Sequence, residues 1–447
     1  MVALQGDAAS VIEGSSVLSV TPTLRRPLSV DAGRALVTLS CGSYLVLAAA
    51  APVFGMVGVN RSALVAVTIV LLACSALYAA SRGISVGAVV AASSVAGLLV
   101  WWATTLLWAK NTAQGVQVLS GLVYVVLPVA LVILVRGNTL VWVVGIFSIA
   151  ATATMVYAVS QDGVALESAS RLAVGASNPS HLAARLGTAF IVAVFFLLHS
   201  RAWFSRVFWL TCALLPLGGI ALTQGRNAIA SLVVASVLTV VLFVLRRAFS
   251  HRQRRQSSSL TSTLRSTLRG ALVIAVLLGA SGVSLVVYGQ QLGLERIGAV
   301  ASGDPSVATA GRVGIWEEYR ASLMRAPERW IHGHGVGSAS TANVGPSRTP
   351  HNVWILQLTE AGLIGVALWF LVSAGPLLIG LSGVQSARSV FAFWVIAYAF
   401  FLGFGNDTSV YDYYWSALAV GHVIGFGHKR GELASSRHTA GSVGREG

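Results

Sequence analysis

Apolar runs as long as a bilayer core is thick recur along this chain, and they constrain its fold more than any other feature. They fall near 35–59, 62–81, 84–108, 115–135, 139–160, 181–200, 206–224, 227–245, 270–288, 352–380, 389–405 and 409–427. A helix needs about 20 such residues to cross the hydrocarbon. Lipid offers no hydrogen bonds, so a spanning backbone must satisfy itself within a helix or a closed barrel. These runs are too long and too uniformly apolar for barrel strands. The expectation is an all-α polytopic membrane protein with about twelve transmembrane helices. Composition agrees, because only 10% of residues are charged. A soluble chain carries roughly 25%, and this one has too few polar side chains to clothe a water-facing surface.

The formal net charge of +15 does not imply nucleic acid, because the basic residues are dispersed between apolar runs instead of gathered on one soluble domain. The positive-inside rule explains them. With the N-terminus inside, Arg25, Arg26, Arg34, Arg82, Arg136, Arg201, Arg206, Arg388, Lys429, Arg430 and the basic stretch 246–269 all fall on the cytoplasmic side. Short outer loops then hold only Arg61, Lys110, Arg171 and Arg226. Both termini are therefore expected in the cytoplasm of a bacterial inner-membrane protein, with 246–269 resting on anionic lipid headgroups. Residues 1–33 lack a signal-peptide pattern and read as a disordered tail, as do 428–447. Bundle segments 34–288 and 351–427 flank one long extracytoplasmic loop, 289–350. Loops of that length are usually functional. Cys41, Cys74 and Cys212 lie in apolar runs without a CxxC pair, which gives no sign of a disulfide framework or a zinc site.

Within the loop, Gly311 to Met324 reads as a short amphipathic helix ended by Pro327. Arg312, Trp316, Arg320 and Leu323 recur at helical spacing and are expected to share a face. That face suits a lipid-linked anion, or Trp316 serves simply as an interfacial anchor. Next comes Gly333-His334-Gly335-Val336-Gly337, whose glycines permit unusual backbone angles and close approach of a ligand. His351 and Asn352 stand where the chain re-enters the membrane. A histidine there is placed for proton transfer, or is an ordinary interfacial side chain. Glu360 lies two turns into the same run, with Gly362 and Gly365 beyond it, and reads as a structural carboxylate that pairs with an arginine or holds loop backbone.

Two places elsewhere need explaining. Arg226 sits at the outer junction of two apolar runs, where a cation calls for an anion. Asn178-Pro179-Ser180-His181 starts a helix at the outer face, with Arg185 one turn further in. An intramembrane arginine is a functional candidate by default, and a salt bridge to Glu360 explains Arg185 equally well. Outer cations without a carboxylate cluster argue against a divalent-metal site, since Mg²⁺ or Mn²⁺ wants oxygen ligands. Asp407 and Asp412 are too few to form one.

Gly311-Arg312 with Trp316, Gly333-His334-Gly335-Val336-Gly337, His351-Asn352 and Glu360-Ala361-Gly362-Leu363-Ile364-Gly365 together resemble the O-antigen ligase and polysaccharide polymerase superfamily of integral membrane proteins, in order and in spacing. Asn178-Pro179 with His181-Leu182-Ala183 supports the resemblance. So does Gly225-Arg226, where the family usually has Ser-Arg. The likeness covers roughly residues 35–427. It implies a GT-C-like fold and metal-independent, inverting glycosyl transfer without a cofactor. The donor would be a glycan on a polyprenyl diphosphate, and the acceptor a hydroxyl of a glycan, lipid or protein. Motif for motif, Arg226 and Arg312 become diphosphate ligands and His351 the base. Arg185, Arg320, His181, His334 and Asn352 would line the substrate site, supported by Glu360, Trp316 and Asn178. The physics is compatible, because guanidinium matches diphosphate bidentately and helps most as charge grows on the leaving phosphate. A second reading is a secondary transporter or lipid-linked glycan flippase. It favours ionisable residues near the midplane, whereas here they gather at the outer boundary.

Overall fold

A computed structural model describes residues 30–56, 61–81, 86–135, 140–162, 172, 178–223, 225–253, 311–339, 341, 344, 348–383, 387–406 and 411–426. These residues form helices and connections, with no strand among them. The order is α1 (Val30–Met56), α2 (Arg61–Ser81), α3 (Val86–Thr105) with a 3₁₀ turn (Leu106–Trp108), α4 (Thr112–Leu134), α5 (Leu140–Asp162), α6 (Pro179–His199), α7 (Trp203–Leu222) and α8 (Arg226–Gln253). The loop then supplies α9 (Arg312–Arg325) and α10 (Arg329–His332), and the chain ends with α11 (Val353–Gly383), α12 (Ala387–Leu402) and α13 (Asp412–Phe426).

Eight of these helices, α2 to α8 and α11, are long and apolar enough to cross a bilayer. The molecule is thus an α-helical multi-pass membrane protein. The expected span 270–288, the first part of the long loop and both tails lie outside the described residues, apart from Val30 to Gly33. That stretch is already helical, within the segment expected to be a tail. The short helices have a separate explanation. α13 has 15 residues and is about 22 Å long, less than the ~30 Å hydrocarbon core. It need not match the lipid, because Asp412 to Ile424 is buried inside the bundle.

α6 is the axis of the bundle. Every residue from Leu182 to Phe196 is buried, and it packs against α5, α7, α8, α12 and α13. Its start is set locally, where the Asn178 side chain accepts from Ser180 N at 2.9 Å and Pro179 takes the first turn, needing no donor partner there. An aromatic core joins α11 to α13, with Trp369 stacked on Tyr414 at 4.9 Å and edge-on to Trp415 at 5.4 Å. α3 is tied to α11 by two indoles. Trp102 Nε1 donates to Gln357 Oε1 and Trp101 Nε1 to the Ala361 carbonyl, both at 2.9 Å.

α11 is two helical pieces joined at Gly362, whose φ of 67° breaks the helix. α10 packs into that break. A Cβ on Gly362 would overlap the Ile331 carbonyl, and a Cβ on Gly333 would overlap that of Glu360. Glycine is needed at both positions, for its left-handed φ and for the contact.

Candidate functional site

The candidate site assembles where the start of α11, α9, the turn after α12 and the starts of α6, α8 and α13 meet. α9 covers the stretch read as an amphipathic helix, but its buried face is shifted. Tyr319 and Leu323 are buried while Arg320 is exposed. At 100° per residue, 312, 316, 319 and 323 lie within a stripe about 60° wide and 320 stands about 70° from its centre, so Arg320 points away from the packed face.

The stripe fastens the loop to the bundle. Trp316 Nε1 donates to the Pro350 carbonyl at 2.8 Å, and the Tyr319 hydroxyl donates to the carbonyls of Ala339 at 2.6 Å and Arg348 at 2.8 Å. Trp316 therefore positions the residue just before His351, a role the anchor reading does not include. Arg312 Nη1 donates to the Gly405 carbonyl at 2.9 Å. The same turn is held from α8 by Asn227, whose Nδ2 donates to the Leu402 carbonyl at 2.9 Å. It is held from α11 by Val353 N, which donates to the Gly403 carbonyl at 2.9 Å. Residues 402–405 thus gather the helix carrying Arg312, the helix that begins with Arg226, and the start of α11 just after His351. Arg226 itself is exposed.

His351 is exposed, and with φ 49° it is the one non-glycine residue in the left-handed region among those described. A side chain is held there only when its surroundings over-determine it. Pro350 is pinned by Trp316 on one side. On the other, Asn352 caps α11 through its Oδ1, which accepts from Trp354 N at 2.9 Å and Ile355 N at 3.3 Å. Asn352 is buried and committed to this cap, so its visible work is to position His351.

His181 feels the charges of Arg185, Asp412 and His351, and its ring lies 3.9 Å from that of Tyr411 and 5.3 Å from that of Tyr413. Arg185 is buried. Its Nη2 donates to Asp412 Oδ1 at 2.5 Å, its Nε donates to the Ala48 carbonyl at 3.0 Å, and it sits over the Tyr413 ring. The salt bridge expected with Glu360 is not the one formed. Glu360 instead holds loop backbone: its Oε1 accepts from Ala339 N at 3.1 Å and its carbonyl from Gly335 N at 2.9 Å.

His334 belongs to another neighbourhood. Its backbone N donates to the Thr359 carbonyl at 2.8 Å. Its ring is buried, with no partner at either nitrogen. Burial, together with Lys110, Arg329 and His332, lowers its pKa to about 4 against the opposing pull of Glu328. The flanking glycines seat this loop, since a Cβ on Gly335 or Gly337 would press into the backbone at Ala109 or Gly115.

The structure thus brings Arg312, Trp316, His351 and Asn352 together with the start of α8, and His181 with Arg185. It turns Arg320 outward and gives His334 and Glu360 to the loop's own scaffold. Sequence reasoning missed Asp412 as the partner of Arg185, and missed Tyr411, Tyr413 and Asn227. An acidic residue at the head of an apolar run was the available signal for Asp412, because a buried arginine needs one. Asp407 lies outside the described residues. Among those described, no three His, Cys, Asp or Glu side chains stand together as metal ligands would, and the three cysteines are free. The fold defines the class, a helical multi-pass membrane protein. No known family model matches the chain, and no curated protein matches it.

Proposed function

We propose that this protein is a bacterial inner-membrane glycosyltransferase. It moves a glycan from a polyprenyl-diphosphate carrier to an acceptor hydroxyl at the outer face, as a surface-polysaccharide ligase or polymerase. The observation that carries the reading is the convergence of Arg312 and the start of α8 on one turn, 402–405, beside a strained, exposed His351. Arg312 and Arg226 grip the diphosphate, and their fixed charge stabilises the leaving group as the glycosidic C–O bond breaks. His351 takes the proton of the attacking hydroxyl, the oxygen attacks the anomeric carbon from the opposite face, and polyprenyl diphosphate departs with the bonding pair. His181, within electrostatic reach of Arg185, Asp412 and His351, is assigned to the acceptor side.

The test is transfer by the purified protein in nanodiscs, from a polyprenyl-diphosphate glycan to a hydroxyl acceptor, with and without chelator. Glycosylated acceptor and free polyprenyl diphosphate are expected in both. Carrier movement across liposomes that persists without His351, and without any transfer product, would overturn the proposal in favour of a flippase.

A further inference from the structure

Three backbone carbonyls of the turn 402–405 are each taken by a different element. The Gly405 carbonyl accepts from Arg312 of α9, the Gly403 carbonyl from Val353 N of α11, and the Leu402 carbonyl from Asn227 Nδ2 of α8, each at 2.9 Å. The fit at Asn227 is steric as well. A Cβ on Gly405 would stand 2.4 Å from the Cγ and Oδ1 of Asn227, so the turn approaches the carboxamide this closely only because residue 405 lacks a side chain. Asn227 is half-buried and is the second residue of α8, directly after the exposed Arg226. The end turn of a helix frays unless something ties it down, and the Asn227 side chain supplies such a tie.

We infer that Asn227 is a positioning residue for the transfer reaction, fixing Arg226 on α8 relative to Arg312 on α9 through the 402–405 turn. The inference rests on the transfer reading, in which those two arginines hold the diphosphate. The Asn227 carboxamide is itself committed to the turn, with Nδ2 on the Leu402 carbonyl and Cγ against Gly405, so its effect reaches the substrate through the arginines. Two guanidinium groups stabilise a departing diphosphate fully only when their separation and aim match its oxygens. Misplacement by about 1 Å can cost about 10²-fold in rate. The Leu402 carbonyl also accepts from Gly405 N at 3.3 Å, so the turn keeps its own closure when the carboxamide is removed. Loss of Asn227 therefore releases the start of α8 from the turn and leaves the turn formed.

The test is a pair of double-mutant cycles on the full-length protein in the nanodisc transfer assay, with melting measured for every variant. Asn227→Ala should lower kcat, and kcat/KM for the polyprenyl-diphosphate donor, by about 10–10²-fold. KM for the hydroxyl acceptor should stay within about twofold, because the clamp serves the diphosphate side alone. In the Arg312→Gln background, Asn227→Ala should add less than about twofold, since the pair it aligns is already broken. Gly405→Ala drives a methyl into the carboxamide and should cost a similar factor by itself, yet less than about twofold once residue 227 is alanine. A purely structural Asn227 would lower melting and the folded fraction while the rate per folded molecule held, and that result overturns the inference. Losses that simply add in both cycles overturn it too, with the transfer reading left standing. Wild-type protein that yields no transfer product overturns the transfer reading and this inference together.

Discussion

His334 and His351 come from the same loop, carry the same imidazole, and have opposite surroundings. His334 is 4% exposed, sealed between the α11 backbone and the α3–α4 turn, and held neutral with a pKa near 4. His351 is exposed, on a backbone at φ 49° that is pinned on both sides. A base must receive a proton near neutral pH and hand it on to water. The buried ring is shut off from both, whereas the ring of His351 is open to solvent. Residue type alone does not nominate a catalyst. The cost of charging the side chain and its access to the acceptor do.

The sharpest test of that contrast is a pair of alanine variants. His351→Ala should lower transfer by about 10²–10⁴-fold, the ordinary contribution of a general base, with melting unchanged. His334→Ala should retain catalysis in the folded fraction and lose thermal stability, because it empties a packed site. Rates and melting curves on the same preparations decide the matter, and a reversed pattern would exchange the two roles.

A second pair divides α9 by face. Arg312→Gln removes a fixed cation at the 402–405 turn and should cost about 10²–10³-fold in rate, as loss of one preorganised donor does. Arg320→Gln, on the exposed flank, should stay within about twofold of wild type, the usual range for a surface change. Equal losses would mean that the helix meets its substrate with the flank and not with the packed stripe.

Much of the fold was legible because a lipid-facing helix has to declare itself in composition. The bounds of α2 to α7 follow the apolar runs closely, α8 runs on to Gln253 past the end of its apolar run at 245, and Gly311 and Pro327 bracket α9 as read. What the sequence hid was pairing over distance. Arg185 and Asp412 are 227 positions apart, and either could have met another partner. The stripe of α9 runs through Tyr319 instead of Arg320, the position that the 3.6-residue period favours between 316 and 323. The glycine motif was visible as a motif, but its purpose was not. Gly333, Gly335 and Gly337 serve close approach of one backbone to another, where the sequence suggested approach of a ligand.

The smallest expected effect concerns the buried ring, and it isolates the physical cause of the contrast. Histidine in the unfolded chain titrates near 6.5, whereas His334 in the fold does so near 4. Between those values the unfolded state binds a proton that the folded state refuses, so stability falls as pH drops through that window and is fully present above it. The charged groups facing the ring, Lys110, Arg329, His332 and Glu328, all remain in a His334→Gln variant. Denaturant unfolding at pH 7, 5.5 and 4.5 should therefore show a shallower decline for His334→Gln than for wild type, by up to about one proton's worth of slope. Parallel declines would mean that the ring charges freely in the fold. The burial that separates it from His351 would then be lost as an explanation.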